Sequence, residues 1–314
     1  MGGAPMSGLR EITDGLIFPE GPVAMPDGTV VLVEIGRGCL TRVWPDGRKE
    51  IVATPGGGPN GIAIGPDGKA YVCNNGGFEF VTTEHGTRPV REGWDYSGGR
   101  IERIDLESGA VEVLYRGTHE VQLRGPNDIV FDAHGGFYCT DLGKLRHREM
   151  DRGAIFYGKA DGSLFKEVAF PLVTPNGIGL SPDGNTLYVA ETEAARLWAY
   201  PIIEPGVLEK QPWPSPHGGR MLVASPGGHY QRFDSLAVEA NGNICIATLA
   251  HGGITVVAPD GSSAEHVPMP DFHTTNICFG GPDLRTAYVT LSGSGRLVAL
   301  DWPRPGLPLE YLNK

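Results

Sequence analysis

The chain has 314 residues, a formal net charge of −11, a 40% apolar share, 47 glycines and 26 prolines. The apolar share is too high for a disordered chain, and the acidic balance argues against nucleic-acid or anionic-membrane partners, which need clustered Lys and Arg. No apolar run is long enough to span a membrane and Met1 to Ser7 lacks the apolar core of a secretion signal, so a cytoplasmic protein is expected.

Leu9–Leu16 comes first and belongs to no repeat. A unit then begins at Pro19 with the strands Val30–Glu34, Leu40–Trp44 and Glu50–Ala53, the last two joined by the turn Pro45-Asp46-Gly47. The second unit begins at Pro59. After Gly61–Ile64 come the turn Pro66-Asp67-Gly68, the strand Lys69–Asn74, and the hairpin Arg100–Leu106/Val111–Tyr115 about Glu107-Ser108-Gly109. The third begins at Pro126. The fourth begins at Pro175 and continues through Thr186–Ala190 and Arg196–Tyr200. The fifth begins at Phe233, with Asn243–Thr248, Ile254–Ala258 and Glu265–Pro268. The sixth begins at Thr275 and has three clear strands: Ile277–Phe279, Ala287–Leu291 and Arg296–Trp302. No convincing long helix interrupts this order.

Six such units predict an all-β chain: a six-bladed β-propeller with four antiparallel strands per blade, spanning residues 1–314 as one domain. The sixth blade lacks an outer strand. Leu9–Leu16 is expected to supply it and to close the ring by pairing the N- and C-terminal segments, since an open ring leaves an unpaired edge. Pro303–Pro308 would be a surface tail. Two insertions lengthen the units. Gly76–Gly99 carries Phe78, Phe80, His85, Arg88, Arg91, Trp94 and Tyr96 and is expected to face substrate; Glu204–Arg220 carries Trp213 and His217. The five cysteines show no C-x-x-C spacing and read as buried thiols, not a disulfide framework.

The second position of each unit carries chemistry. It is Glu20, Asn60, Asn127, Asn176, Asp234 and Asn276. One Asn after Pro is an ordinary turn residue, but six aligned oxygen-bearing side chains argue for convergence on the axis. A propeller places such positions at one height around the channel. A bare carboxylate there is costly, and a divalent cation removes that cost. All-oxygen donors indicate a hard ion: one Ca²⁺ first, with Mg²⁺, Mn²⁺ or Zn²⁺ acceptable.

Phe18-Pro19-Glu20-Gly21-Pro22, Pro126-Asn127-Asp128, Thr174-Pro175-Asn176-Gly177, Phe233-Asp234-Ser235-Leu236-Ala237-Val238 and Phe279-Gly280-Gly281-Pro282-Asp283-Leu284 resemble the signature segments of the regucalcin/gluconolactonase family. Its relatives include sugar lactonases and diisopropylfluorophosphatase-type hydrolases. The resemblance covers about Glu11 to Asp301. It implies a metal held by Glu20, Asn127, Asn176 and Asp234, and a lactone opened by water at the polarised carbonyl. Asp234 is the candidate general base, with a nucleophilic role open in the phosphotriester branch. Arg124 stands one residue further from Asn127 than in the family's sugar-binding pattern, so it is a substrate contact or a surface Arg. Asn60, Asn276, Trp94 and His273 are further substrate candidates. Asp128 would flank the metal or cap a turn. The expected partner is a small lactone, with a fluorophosphatase-like or other ester hydrolase and a non-catalytic calcium-binding propeller as alternatives.

Overall fold

A computed structural model describes residues 8–212 and 218–314. Trp213 and His217 therefore lie outside the described residues. Six antiparallel sheets follow one another along the chain. Their inner strands are Pro19–Ala24, Pro59–Ile64, Pro126–Phe131, Pro175–Leu180, Arg232–Val238 and Thr274–Gly280. The expected six-bladed propeller is the observed fold. Arg10–Thr13 pairs antiparallel with Arg296–Asp301, in the register Arg10↔Ala299 and Glu11↔Val298. The ring is closed by its two ends, as the missing outer strand required.

The apolar residues of each blade point both ways. Six buried clusters result, one between each pair of neighbouring blades. Between the first and second blades, for example, Val31, Val33 and Leu40 meet Ile62, Ile64 and Val72. Middle strands are thus apolar on both faces, which is why Val30–Glu34 shows little alternation. All five cysteines are free and buried. No helix among the described residues is long and apolar enough to cross a membrane.

The C-terminal segment differs from the expected surface tail. Leu307 N–H donates to the Val238 carbonyl at 2.8 Å, and Gly306 N–H to that of Leu284 at 2.9 Å. Further on, the Tyr311 hydroxyl accepts from Gly135 N–H at 3.0 Å and its ring meets Phe131 edge-on at 5.7 Å. The segment therefore runs across the far end of the ring, from the fifth and sixth blades to the third. A cavity of about 340 Å³ lies along the axis, reaching from Asp128 and Asn276 to this segment.

The insertion Gly76–Gly99 forms a hairpin of its own, Phe78–Thr83 paired with Gly86–Glu92. It straps one face of the ring. Phe80 packs on Phe18 of the first blade, with centroids 5.4 Å apart, and Thr87 N–H donates to the Gly293 carbonyl of the sixth at 3.0 Å.

Candidate metal centre

Every inner strand breaks register near its start. In the second to fifth blades the break takes one form. Pro126 pairs with Asp141 and Ile129 with Cys139, so Asn127 and Asp128 together oppose Thr140. Asn60 and Gly61, Asn176 and Gly177, and Asp234 and Ser235 occupy the same two-residue bulge. A bulge bends the strand and re-aims its side chains, here freeing the second position from the ladder. The first blade shifts after Glu20 and the sixth before Asn276. The backbone leading in is also constrained. Phe18 and Thr174, each two residues before a site residue, are left-handed at φ 54° and 49°. Such conformations cost energy and cluster at functional sites.

Four of the six predicted ring residues come together in pairs across blades. Asn176 Nδ2 donates to Asp234 Oδ1 at 2.5 Å and to Thr192 Oγ1 at 3.0 Å. With its amide nitrogen engaged, Asn176 is left with its oxygen as the available acceptor, beside which Ser235 Oγ lies at 3.4 Å. Asn276 Nδ2 donates to Glu20 Oε2 at 2.9 Å, and its own oxygen accepts from Ile277 N–H at 2.8 Å. Asn276 thus orients Glu20 rather than standing open. Asn127 Oδ1 is buried without a hydrogen-bond partner.

Burial dominates the electrostatics. It pushes the Glu20 carboxyl up to about 6, against hydrogen bonds from Asn276 and Gly21. It pushes Asp128 up to about 7, with the Glu20 charge adding and Ile129 N–H opposing. Asp234 lies well above the ordinary carboxylate range, through burial first and the Glu20 charge second, with Asn176 opposing. The three buried acids thus act on one another through charge, with no cationic side chain hydrogen-bonded to any of them among the described residues.

Among the described residues no three His, Cys, Asp or Glu side chains form a cluster arranged to hold a metal. The ring depends on carboxamides for the rest of its oxygens. Its chemistry nevertheless fits a hard cation: two raised carboxylates, an orphaned Asn127 oxygen, and an Asn176 whose nitrogen is already engaged.

The other predicted residues are more scattered. Asn60 is buried at its bulge. His273 is half-buried, and its Nδ1 has no hydrogen-bond partner. Arg124 is exposed; its N–H donates to Asp141 Oδ2 at 2.7 Å and its carbonyl accepts from the Tyr96 hydroxyl. Trp94 is 93% exposed at the base of the hairpin.

Lys144 is a buried charge that no sequence pattern marks. It is fully buried, donates to Asn75 Oδ1 at 3.2 Å and Gly77 O at 2.8 Å, and sits 3.8 Å over the Phe78 ring. Burial pulls its ammonium down to about 7, against the charges of Asp141 and Glu92. Lysine alone in a loop carries no local signal for such burial.

Comparison with known proteins agrees with this architecture. The chain is 26% identical over 300 residues to a gluconolactonase of Zymomonas mobilis, covering 87% of this chain and 76% of the relative. It is 25% identical over 321 residues to a diisopropyl-fluorophosphatase of Loligo vulgaris, covering 95% and 93%. Among solved structures, a calcium-binding regucalcin of Agrobacterium tumefaciens superposes with a TM-score of 0.74 at 21% identity, covering 99% of this chain and 98% of that one. The family model described as the SMP-30/gluconolactonase/LRE-like region matches residues 18–293, and the chain belongs to that family.

Proposed function

We propose that this protein is a metal-dependent lactonase that opens a small lactone to its hydroxy acid. The observation that carries this reading is the Asn127 oxygen, buried and unpartnered, next in the chain to the raised acid Asp128, which feels the Glu20 charge. Similarity to gluconolactonase supports lactone hydrolysis as the reaction class.

Glu20, Asn127, Asn176 and Asp234 would hold one divalent cation, Ca²⁺ by donor type. When bound, that cation supplies Lewis-acid polarisation of the lactone carbonyl and stabilises the oxyanion. The chain's own residues do the rest. Asn176 holds Asp234 Oδ1, which leaves Oδ2 to take the proton from the attacking water. The same carboxyl then returns that proton to the departing ring oxygen. Asn276 keeps Glu20 facing the axis. Asp128, beneath the ring, takes part through its charge.

A pH-indicator assay with a lactone panel tests the reading. Hydrolysis above the spontaneous rate is expected, lost with chelator and restored by Ca²⁺. No hydrolysis of any lactone overturns it. The similarity to a diisopropyl-fluorophosphatase over 95% of the chain keeps a phosphotriester substrate as the second reading, and a fluorophosphate in the same panel decides between them.

A further inference from the structure

Arg88, Arg232 and His273 come from three separate segments, and the charges of both arginines reach the His273 ring. The hairpin delivers Arg88. Its tip is fixed to the sixth blade by the Thr87–Gly293 hydrogen bond and by the His85 ring, 4.6 Å from that of Phe272. Gly293 lies against both His85 O and His273 Nδ1; a Cβ there would come within 3.2 Å and 2.8 Å of them. His273 stands three residues before Asn276, and Arg232 two before Asp234. Burial holds the His273 ring below the ordinary imidazole range; Asp271 and the His85 carbonyl oppose this, and the Arg88 and Arg232 charges add to it.

These groups carry more donors than their neighbours use. Arg232 Nε is buried without a hydrogen-bond partner, and His273 Nδ1, a donor in one tautomer of the ring, has no good one beyond the nearby His85 carbonyl. The Glu193 carboxylate accepts from Arg232 Nη2, leaving Nε unanswered. Asp271, beside His273, is already engaged: it accepts from His273 N–H at 2.8 Å, Ser294 N–H at 2.8 Å and Ser294 Oγ at 2.6 Å. Arg88 is exposed and has no ion-pair partner among the described residues. A buried donor left without an acceptor costs about 1–3 kcal/mol. Guanidinium forks match the oxygens of carboxylate, sulfonate and phosphate.

We propose that Arg88, Arg232 and His273 form a subsite for an anionic substituent, so that the preferred lactone carries a negatively charged group away from its reacting carbonyl. This rests on the lactonase reading and names the substrate class for it. The insertion is then a specificity element: it is anchored on three blades so that a surface arginine stands at the mouth.

The test uses a matched pair, D-glucaro-1,4-lactone with a terminal carboxylate and D-glucono-1,4-lactone with a terminal hydroxymethyl. Wild type is expected to favour the carboxylate form in kcat/KM by about tenfold or more, the worth of one charge-assisted contact. Arg88→Gln should cut that preference roughly tenfold, while Arg148→Gln, an exposed arginine in the loop whose Leu145 carbonyl accepts from Glu92 N–H of the hairpin, should leave it standing. Calorimetry with glucarate supplies a readout independent of turnover, with Kd weakened about tenfold in Arg88→Gln. Absence of a preference in wild type, an unchanged preference or Kd in Arg88→Gln, or an equal loss in Arg148→Gln overturns the subsite. If neither lactone is hydrolysed, the lactonase reading falls and the glucarate calorimetry alone decides the anion site.

Discussion

Asn176 and Asp234, 58 residues apart in sequence, are joined by a 2.5 Å hydrogen bond from the amide nitrogen to the carboxylate. The bond spans two blades. It sets which end of the amide remains available and holds one oxygen of the acid.

Asp234→Asn removes the proposed proton acceptor while keeping the side chain's shape. Turnover should fall by roughly 10²–10⁴-fold, the range for a lost general base. The circular dichroism spectrum should match wild type. Wild-type rates would remove Asp234 from the chemistry.

Glu20→Gln should weaken cation binding without unfolding the chain, because a Gln oxygen can still accept from Asn276. Titration calorimetry with Ca²⁺ measures this. An unchanged affinity would displace Glu20 from the ligand set.

The raised acids fix a sign for pH dependence. In the metal-free protein Glu20 sits near 6 and Asp128 near 7, above their ordinary values. Their contribution to stability is therefore complete below about pH 4 and drains away as pH rises through 6 to 7. For Glu20 alone this is of the order of 2 kcal/mol. A cation competes with those protons. Its stabilising effect should be small near pH 5 and large near pH 8. Thermal melts with chelator and with Ca²⁺ at both values check this; a pH-independent shift in Tm would contradict it.

Lys144→Met keeps the stem that lies on Phe78 and removes the ammonium. The Gly77 carbonyl and the Asn75 oxygen each lose a charged donor and keep only Gly93 N–H at 3.4 Å and Gly77 N–H at 2.9 Å, at about 1–3 kcal/mol. Hydrogen exchange should quicken in the hairpin Phe78–Glu92, whose base these groups hold. Unchanged exchange there would mean that Lys144 does not anchor it.

The sequence by itself determined the ring. Short apolar strands, Asp-Gly turns and a recurrent Pro-Asn start are local patterns, and each blade repeats them within reach of its own turns. Ring closure was legible for the same reason, since one blade lacked a strand and one segment lacked a blade. The bulge that turns Asn127 and Asp128 out of the ladder was not, because its pairing lies on the next strand. Tertiary structure alone decided three further features: the strap from the second blade to Gly293, the tail crossing to Gly135, and the burial of Lys144. Each depends on packing between segments tens to hundreds of residues apart. No local periodicity records such contacts, because their energy arises only once the ring has closed.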